Sequence, residues 1–120
     1  DTRDGDWRRT VAPDPVMLFR YSALTFNGHR IHYDHPYVTG VEGYPGLIVH
    51  GPLIATLLAD LARDESGWAL GRFAFRARSP LFATAPFTVG GRLEAGGATC
   101  TVAAIDAEGA LAMTAEAELA

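Results

Sequence analysis

The chain has 120 residues, of which 48% are hydrophobic and 20% charged, a mixture typical of one globular domain with a buried core. Its net charge is −4, so it lacks the basic excess that binding to a nucleic-acid backbone requires. No apolar run approaches the roughly 18 residues of a membrane span. Cys100 is alone, which excludes an internal disulfide and favours a reducing compartment. We therefore expect a cytoplasmic protein that binds neither nucleic acid nor membranes.

The first residues of the sequence are predicted to form a linker that precedes the domain. The chain starts at Asp1 and not at a methionine, which indicates either processing or a piece of a longer protein. Residues 1–13 are interpreted as a linker that includes a short first strand near residues 7–11. Residues 14–120 are interpreted as one domain.

Three helices are predicted from capping residues and apolar spacing. Asp14-Pro15 combines an N-cap with a first-turn proline and predicts a short helix over residues 16–24. Asp34-His35-Pro36 predicts a second helix that ends at Gly40. The main helix is expected over residues 51–64, because leucines and isoleucine recur on one face. These are Leu53, Ile54, Leu57, Leu58 and Leu61.

Beyond Gly67 the apolar period changes from 3.6 residues to two, which is typical of strands. Four successive strands are predicted near residues 72–78, 87–93, 98–105 and 111–119, with turn residues between them. We expect an antiparallel meander of these four strands, completed by the short first strand. The predicted fold class is α+β, with one long helix against a curved antiparallel sheet.

The residues able to do chemistry cluster in the middle of the chain, where all four histidines lie: His29, His32, His35 and His50. Their spacing does not match a zinc-binding helix and no cysteine joins them, so a metal site is disfavoured. No serine lies in a Gly-x-Ser-x-Gly elbow, which disfavours covalent catalysis. The remaining chemistry is acid–base catalysis by a histidine.

Asn27 and His32 are five residues apart in a loop, so both side chains can turn toward one pocket. Gly51 is predicted to open the main helix, where its N–H lacks an intrahelical acceptor and lies at the positive end of the helix dipole. Such a donor stabilises a developing oxyanion. The three residues together suit proton transfer beside a carbonyl. A polar loop that only caps the helix is the open alternative.

Two stretches of the sequence resemble a known family. Residues 19–34 read FRYSALTFNGHRIHYD, and residues 42–53 read EGYPGLIVHGPL. They resemble the MaoC-type hydratase/dehydratase family of the hotdog fold, and within it mesaconyl-CoA hydratases and fungal-type hydroxyacyl-thioester dehydratases. The resemblance implies a single hotdog fold, with a long central helix wrapped by an antiparallel sheet. It also implies reversible hydration of an enoyl-CoA thioester, with no metal or redox cofactor.

The resemblance also implies roles for individual residues. The family's aspartate and histidine, which activate water, fall on Asn27 and His32, and its Val-His-Gly falls on residues 49–51. The asparagine is a departure that matters, because an amide exchanges no proton near neutral pH. The resemblance therefore implies that His32 moves the proton, that Asn27 positions the water and that the Gly51 N–H stabilises the enolate oxygen.

Substrate contacts and partners are expected on the same basis. Tyr44 and Pro45 are expected to line the acyl pocket and Arg78 to meet a CoA phosphate, the alternatives being a rigid loop and a solvated strand face. Mesaconyl-type proteins usually hold two hotdog halves, and these motifs belong to the second half. We therefore expect a dimer, either with itself or with a second hotdog chain. The alternative functions are a catalytically silent subunit that completes a partner's CoA site and a hotdog acyl-CoA thioesterase.

Overall fold

The computed structural model describes residues 5–120, so residues 1–4 of the predicted linker lie outside the described part of the chain. Within this range one strand precedes three helices, and four strands follow them. The strands are β1 (Trp7–Val11), β2 (Leu70–Ala77), β3 (Phe87–Leu93), β4 (Thr99–Ile105) and β5 (Leu111–Leu119). The helices are α1 (Pro15–Leu24), α2 (His35–Gly40) and α3 (Gly51–Ser66), with a 3₁₀ turn at Arg30–His32.

The five strands form one antiparallel sheet in the order β1-β3-β4-β5-β2. The meander predicted for the last four strands is therefore correct for β3, β4 and β5 and wrong for β2, which pairs with β5. The physical reason is that β3 has no free edge for β2, because β1 pairs with one of its edges and β4 with the other. The segment that connects β2 to β3, residues 78–86, therefore carries the chain across the sheet.

The same connecting segment pairs with the chain that leads into α3. The Val49 N–H donates to the Leu81 carbonyl and the Ala83 N–H donates to the Leu47 carbonyl, both at 2.8 Å. Because of these bonds, the residues that follow β2 lie beside the residues that precede α3. This contact brings the end of β2 next to the start of α3.

Helix α3 packs its apolar face against one face of the sheet. Leu58 and Leu61 are both 0% exposed and meet the inward-facing residues of β3, β4 and β5. Burial of such a side chain stabilises the fold by about 1.5–3 kcal/mol. The helix ends at Gly67, whose φ of 77° is left-handed and favours glycine. The predicted α+β arrangement is confirmed, with α3 two residues longer than expected.

Strands β1 and β2 form the two edges of the sheet. On β1, Arg9 lies 3.9 Å from Asp64 and 4.0 Å from Glu65, so this edge is tied to the end of α3. On β2, Phe75 is 52% exposed, and the outer side of the strand is open. None of the helices between residues 5 and 120 has the length and apolar character needed to cross a bilayer.

Candidate active site

The loop after α1 turns sharply at Phe26, which has a left-handed φ of 54° and is 96% exposed. The turn directs Asn27 back onto the helix, where its N–H donates to the Ser22 carbonyl at 2.8 Å. The Asn27 Oδ1 accepts from the His29 N–H at 3.0 Å, so the side chain closes an Asx turn. Asn27 also lines an apolar concavity of about 320 Å³, together with Ser22 and Tyr33.

His32 closes the 3₁₀ turn and is 7% exposed. Its Nδ1–H donates to the Ile48 carbonyl at 2.6 Å, which leaves Nε2 with the lone pair. Burial lowers the pKa of His32 below its usual 6.5; the bond to Ile48 opposes this, and His29 adds to it. A neutral imidazole with a free Nε2 at neutral pH is the form that acts as a general base.

His50 lies against His32, with the two rings stacked at a centroid distance of 3.8 Å and an angle of 17°. Its Nε2 is 2.7 Å from the Ser22 Oγ, and Tyr21 meets the ring edge-on at 4.7 Å. Burial, followed by the nearby His32, lowers the pKa of His50 to about 4. His50 is therefore neutral at neutral pH.

Gly51 is the first residue of α3, so its N–H has no acceptor within the helix. It lines a cavity of about 340 Å³ together with Ile48, Arg78 and Met113. Ile48 belongs both to this cavity and, through its carbonyl, to His32. Gly51 and His32 are thus connected through one residue at the entry to α3.

The other predicted site residues lie around this centre. The Arg78 Nε donates to the Thr114 Oγ1 at 3.3 Å, and its exposed side chain lines the same cavity as Gly51. Pro45 lines a separate cavity of about 340 Å³ that shares Pro80 and Leu81 with the first. Tyr44 is 39% exposed and lies beside Phe82, which lines that second cavity.

The structure connects His32 to Gly51 through Ile48, but it places Asn27 and Gly51 in different cavities. Of the described residues, none lines both the Asn27 concavity and the Gly51 cavity. The Ser22–His50 pair lies between them, because Ser22 lines the first and His50 immediately precedes Gly51. Across residues 5–120 no three histidine, cysteine or acidic side chains are placed to hold a metal ion.

Sequence reasoning missed Ser22, which it weighed only as a nucleophile. Ser22 is 5% exposed on α1, and a buried hydroxyl needs a hydrogen-bond partner. Its partner, His50, lies 28 positions away and could be identified only once α1 was packed on the start of α3.

The family model for hydroxyacyl-thioester dehydratase type 2 matches residues 1–83. The chain belongs to this family. It is 52% identical over 111 residues to a mesaconyl-C(4)-CoA hydratase of Chloroflexus aurantiacus, a match that covers 92% of this chain and 39% of that protein. It is 41% identical over 80 residues to the mitochondrial hydroxyacyl-thioester dehydratase type 2 of Schizosaccharomyces pombe, covering 64% of this chain and 27% of that protein. The chain spans less than half the length of these two relatives.

The fold of this hydroxyacyl-thioester dehydratase family member is also found among solved structures. The ChsH1–ChsH2 complex from Mycobacterium tuberculosis contains a chain that superposes with a TM-score of 0.80 at 19% identity, covering 94% of this chain and 91% of that one. The single hotdog fold implied by the sequence resemblance is confirmed. So is the resemblance itself, because the family and both relatives are those that the motifs indicated.

Proposed function

We propose that this chain catalyses the reversible hydration of an enoyl-CoA thioester, without a metal or redox cofactor. The observation that carries the proposal is the state of His32. Its imidazole is buried and neutral, its Nδ1–H is fixed by the Ile48 carbonyl, and its Nε2 keeps a lone pair beside the entry to α3. The names of the family and of its two relatives support the same reaction class.

The proposed reaction needs one base and one oxyanion donor. The Nε2 of His32 takes a proton from water as the water oxygen attacks C3 of the enoyl ester, and the electrons of the double bond move onto the thioester oxygen. The Gly51 N–H stabilises the enolate that forms. His32 then returns the proton to C2. Asn27 orients the water without exchanging a proton, because an amide cannot titrate in this range.

The substrate contacts are proposed from the two neighbouring cavities. Arg78 meets a CoA phosphate at the mouth of the Gly51 cavity, where its guanidinium is exposed. Tyr44 and Pro45 contact the acyl group from the second cavity. Because the two cavities share Pro80 and Leu81 as a wall, one extended thioester can run along both.

We also propose that the chain assembles with a second copy or with another hotdog chain through the open edge at β2. The half-exposed Phe75 on this edge supports the proposal, and the structurally similar ChsH1–ChsH2 chains are named as a complex. Such an interface should exceed about 1,000 Å² in total. Light scattering at micromolar concentration tests it, because an active monomer of 12.8 kDa would contradict it. The cytoplasm remains the proposed location, based on the buried free thiol of Cys100.

The test of function is a mass-spectrometric screen of enoyl-CoA esters with the wild type and two variants. His32→Ala should lower the hydration rate by at least about a hundredfold, the usual loss when a general base is removed. His29→Ala is the matched control, because His29 is exposed on the same loop, with its ring 6.4 Å from that of His32. A His32→Ala protein that melts normally and keeps activity within a few-fold of the wild type would disprove the mechanism.

A further inference from the structure

His50 is the N-cap residue of α3, yet its side chain makes no capping hydrogen bond. It is 1% exposed, and its Nδ1 is the one buried side-chain polar atom that lacks a hydrogen-bond partner in the described part of the chain. A buried imidazole that neither caps the helix nor satisfies both its nitrogens needs another explanation. His50 contacts Ser22, Tyr21 and His32, and the explanation lies in the contacts with Ser22 and His32.

The contact with Ser22 fixes both the position and the protonation of His50. With Nε2 at 2.7 Å from the Ser22 Oγ, the lower-energy arrangement has Nε2 donating to the hydroxyl. Nδ1 is then an unprotonated lone pair, whereas the other tautomer would bury an N–H donor without an acceptor, which folded proteins avoid. The ring is therefore neutral, and its plane is fixed by a bond to α1.

The contact with His32 covers one face of that ring. The 3.8 Å centroid distance and 17° angle leave no room for water between the two imidazoles. His32 is bonded to Ile48 at one edge and stacked on His50 over one face, while its Nε2 remains without a hydrogen bond to any residue from 5 to 120. The stack thus excludes water from one face of the His32 ring and leaves the Nε2 lone pair accessible.

We propose that His50 is a positioning residue for His32 and that Ser22 anchors it. Stacking on the fixed His50 ring keeps the His32 imidazole dehydrated, neutral and oriented, so that its Nε2 is available at neutral pH. The catalytic importance of the His32–His50 stack rests on the proposed function, in which His32 is the general base. The physical claim about the two rings is independent of any substrate.

The other groups around the stack do not cover the His32 ring as closely as His50 does. The exposed His29 ring is 6.4 Å from that of His32 and adds only its charge to the lowering of the His32 pKa, and Tyr21 contacts His50 and not His32. Arg30 of the 3₁₀ turn is paired at 2.9 Å with Asp34, the N-cap of α2, and its guanidinium lies over the ring of Tyr37. His50 is therefore the group whose removal should rehydrate His32.

The experiment is an NMR titration of the histidine rings, with no substrate, in the wild type, His50→Ala, His50→Phe and Ser22→Ala. In His50→Ala water replaces the stacked ring, and the titration midpoint of His32 should rise by roughly half a pH unit or more. His50→Phe is the matched control that keeps an aromatic cover, and its His32 midpoint should stay within about 0.2 units of the wild type. Ser22→Ala removes one oxygen and should shift His32 in the same direction by a smaller amount.

The kinetic readout separates positioning from simple destabilisation. On an accepted enoyl-CoA ester, the acid limb of the kcat/KM profile should move up in pH by the same amount as the His32 midpoint in His50→Ala, with kcat lowered about tenfold and KM within about threefold. An unchanged His32 midpoint in His50→Ala overturns the inference. If that variant does not fold, an unchanged midpoint in Ser22→Ala overturns it. If no ester is hydrated, the proposed function fails, while the titration still decides the role of His50.

Discussion

The buried His50 predicts a specific loss of stability in mild acid. In the unfolded chain its pKa is the ordinary 6.5, and in the folded chain burial lowers it to about 4. Below pH 6.5 the His50 imidazole is protonated in the unfolded chain but stays neutral in the folded chain. This contribution to stability is therefore fully present above pH 6.5 and is lost as the pH falls toward 4.

The size of the loss follows from the gap between the two pKa values. A shift of one unit corresponds to about 1.36 kcal/mol, so this gap sets a ceiling of about 3 kcal/mol. Between pH 7 and pH 5 the free energy of unfolding should fall by about 2 kcal/mol through His50. The reason is that at pH 5 this histidine is almost fully charged in the unfolded chain and still neutral in the folded chain. The side chain is 1% exposed, so solvent screening removes little of this.

Urea unfolding followed by circular dichroism at pH 7, 6 and 5 measures this loss. The comparison is with His50→Phe, which cannot titrate at this position and shares every other histidine and carboxylate with the wild type. The free energy of unfolding of the wild type should fall by about 2 kcal/mol more than that of His50→Phe over this range. Parallel curves for the two proteins would refute the reasoning, because the acid sensitivity would then come from other groups.

Three further predictions concern single residues. Asn27→Asp should keep hydration activity with a shifted pH profile, whereas Asn27→Ala should lose at least about tenfold in rate; an unchanged Ala variant in the same mass-spectrometric assay would remove Asn27 from the site. Gly67→Ala forces a side chain into a φ of 77° and should lower the free energy of unfolding by about 1 kcal/mol, read as a lower urea midpoint at constant slope. Leu58→Ala empties a position that is 0% exposed and should cost about 2–5 kcal/mol, and thermal melting that stays within a degree or two would contradict the packing of α3.

Sequence reasoning succeeded for the features that neighbouring residues determine. The start of α3 at Gly51 follows from local signals and a 3.6-residue period and was predicted, whereas its end at Ser66 lies two residues beyond the predicted one. The strands were also predicted from a local signal, the two-residue period of their apolar side chains. Their order was predicted correctly for β3, β4 and β5 but not for β2, because an alternating strand such as β2 offers an acceptable apolar face to several neighbours.

In the candidate site, too, sequence reasoning found the residues that lie in local motifs and missed the contacts between distant segments. Asn27, His32 and Gly51 could be proposed because each lies in a recognisable local motif. The Ser22–His50 bond and the His32–His50 stack could not, because they depend on how α1 packs against the start of α3. The spacing of two residues in a loop also does not show which cavity each lines, and here Asn27 and Gly51 line different ones.

The strand order has a consequence for the time course of folding. Strand β1 cannot pair until β3 has been synthesised, because Trp7 pairs with Gly91. Strand β2 cannot pair until β5 has been synthesised, because Leu70 pairs with Leu119. As the chain leaves the ribosome, β1, all three helices and β2 emerge before any strand with which β1 or β2 can pair. The apolar face of α3 therefore stays uncovered until the final hairpins form, which favours slow folding and capture by chaperones. A fragment that ends at residue 83 would carry both motifs and yet have no sheet on which to fold.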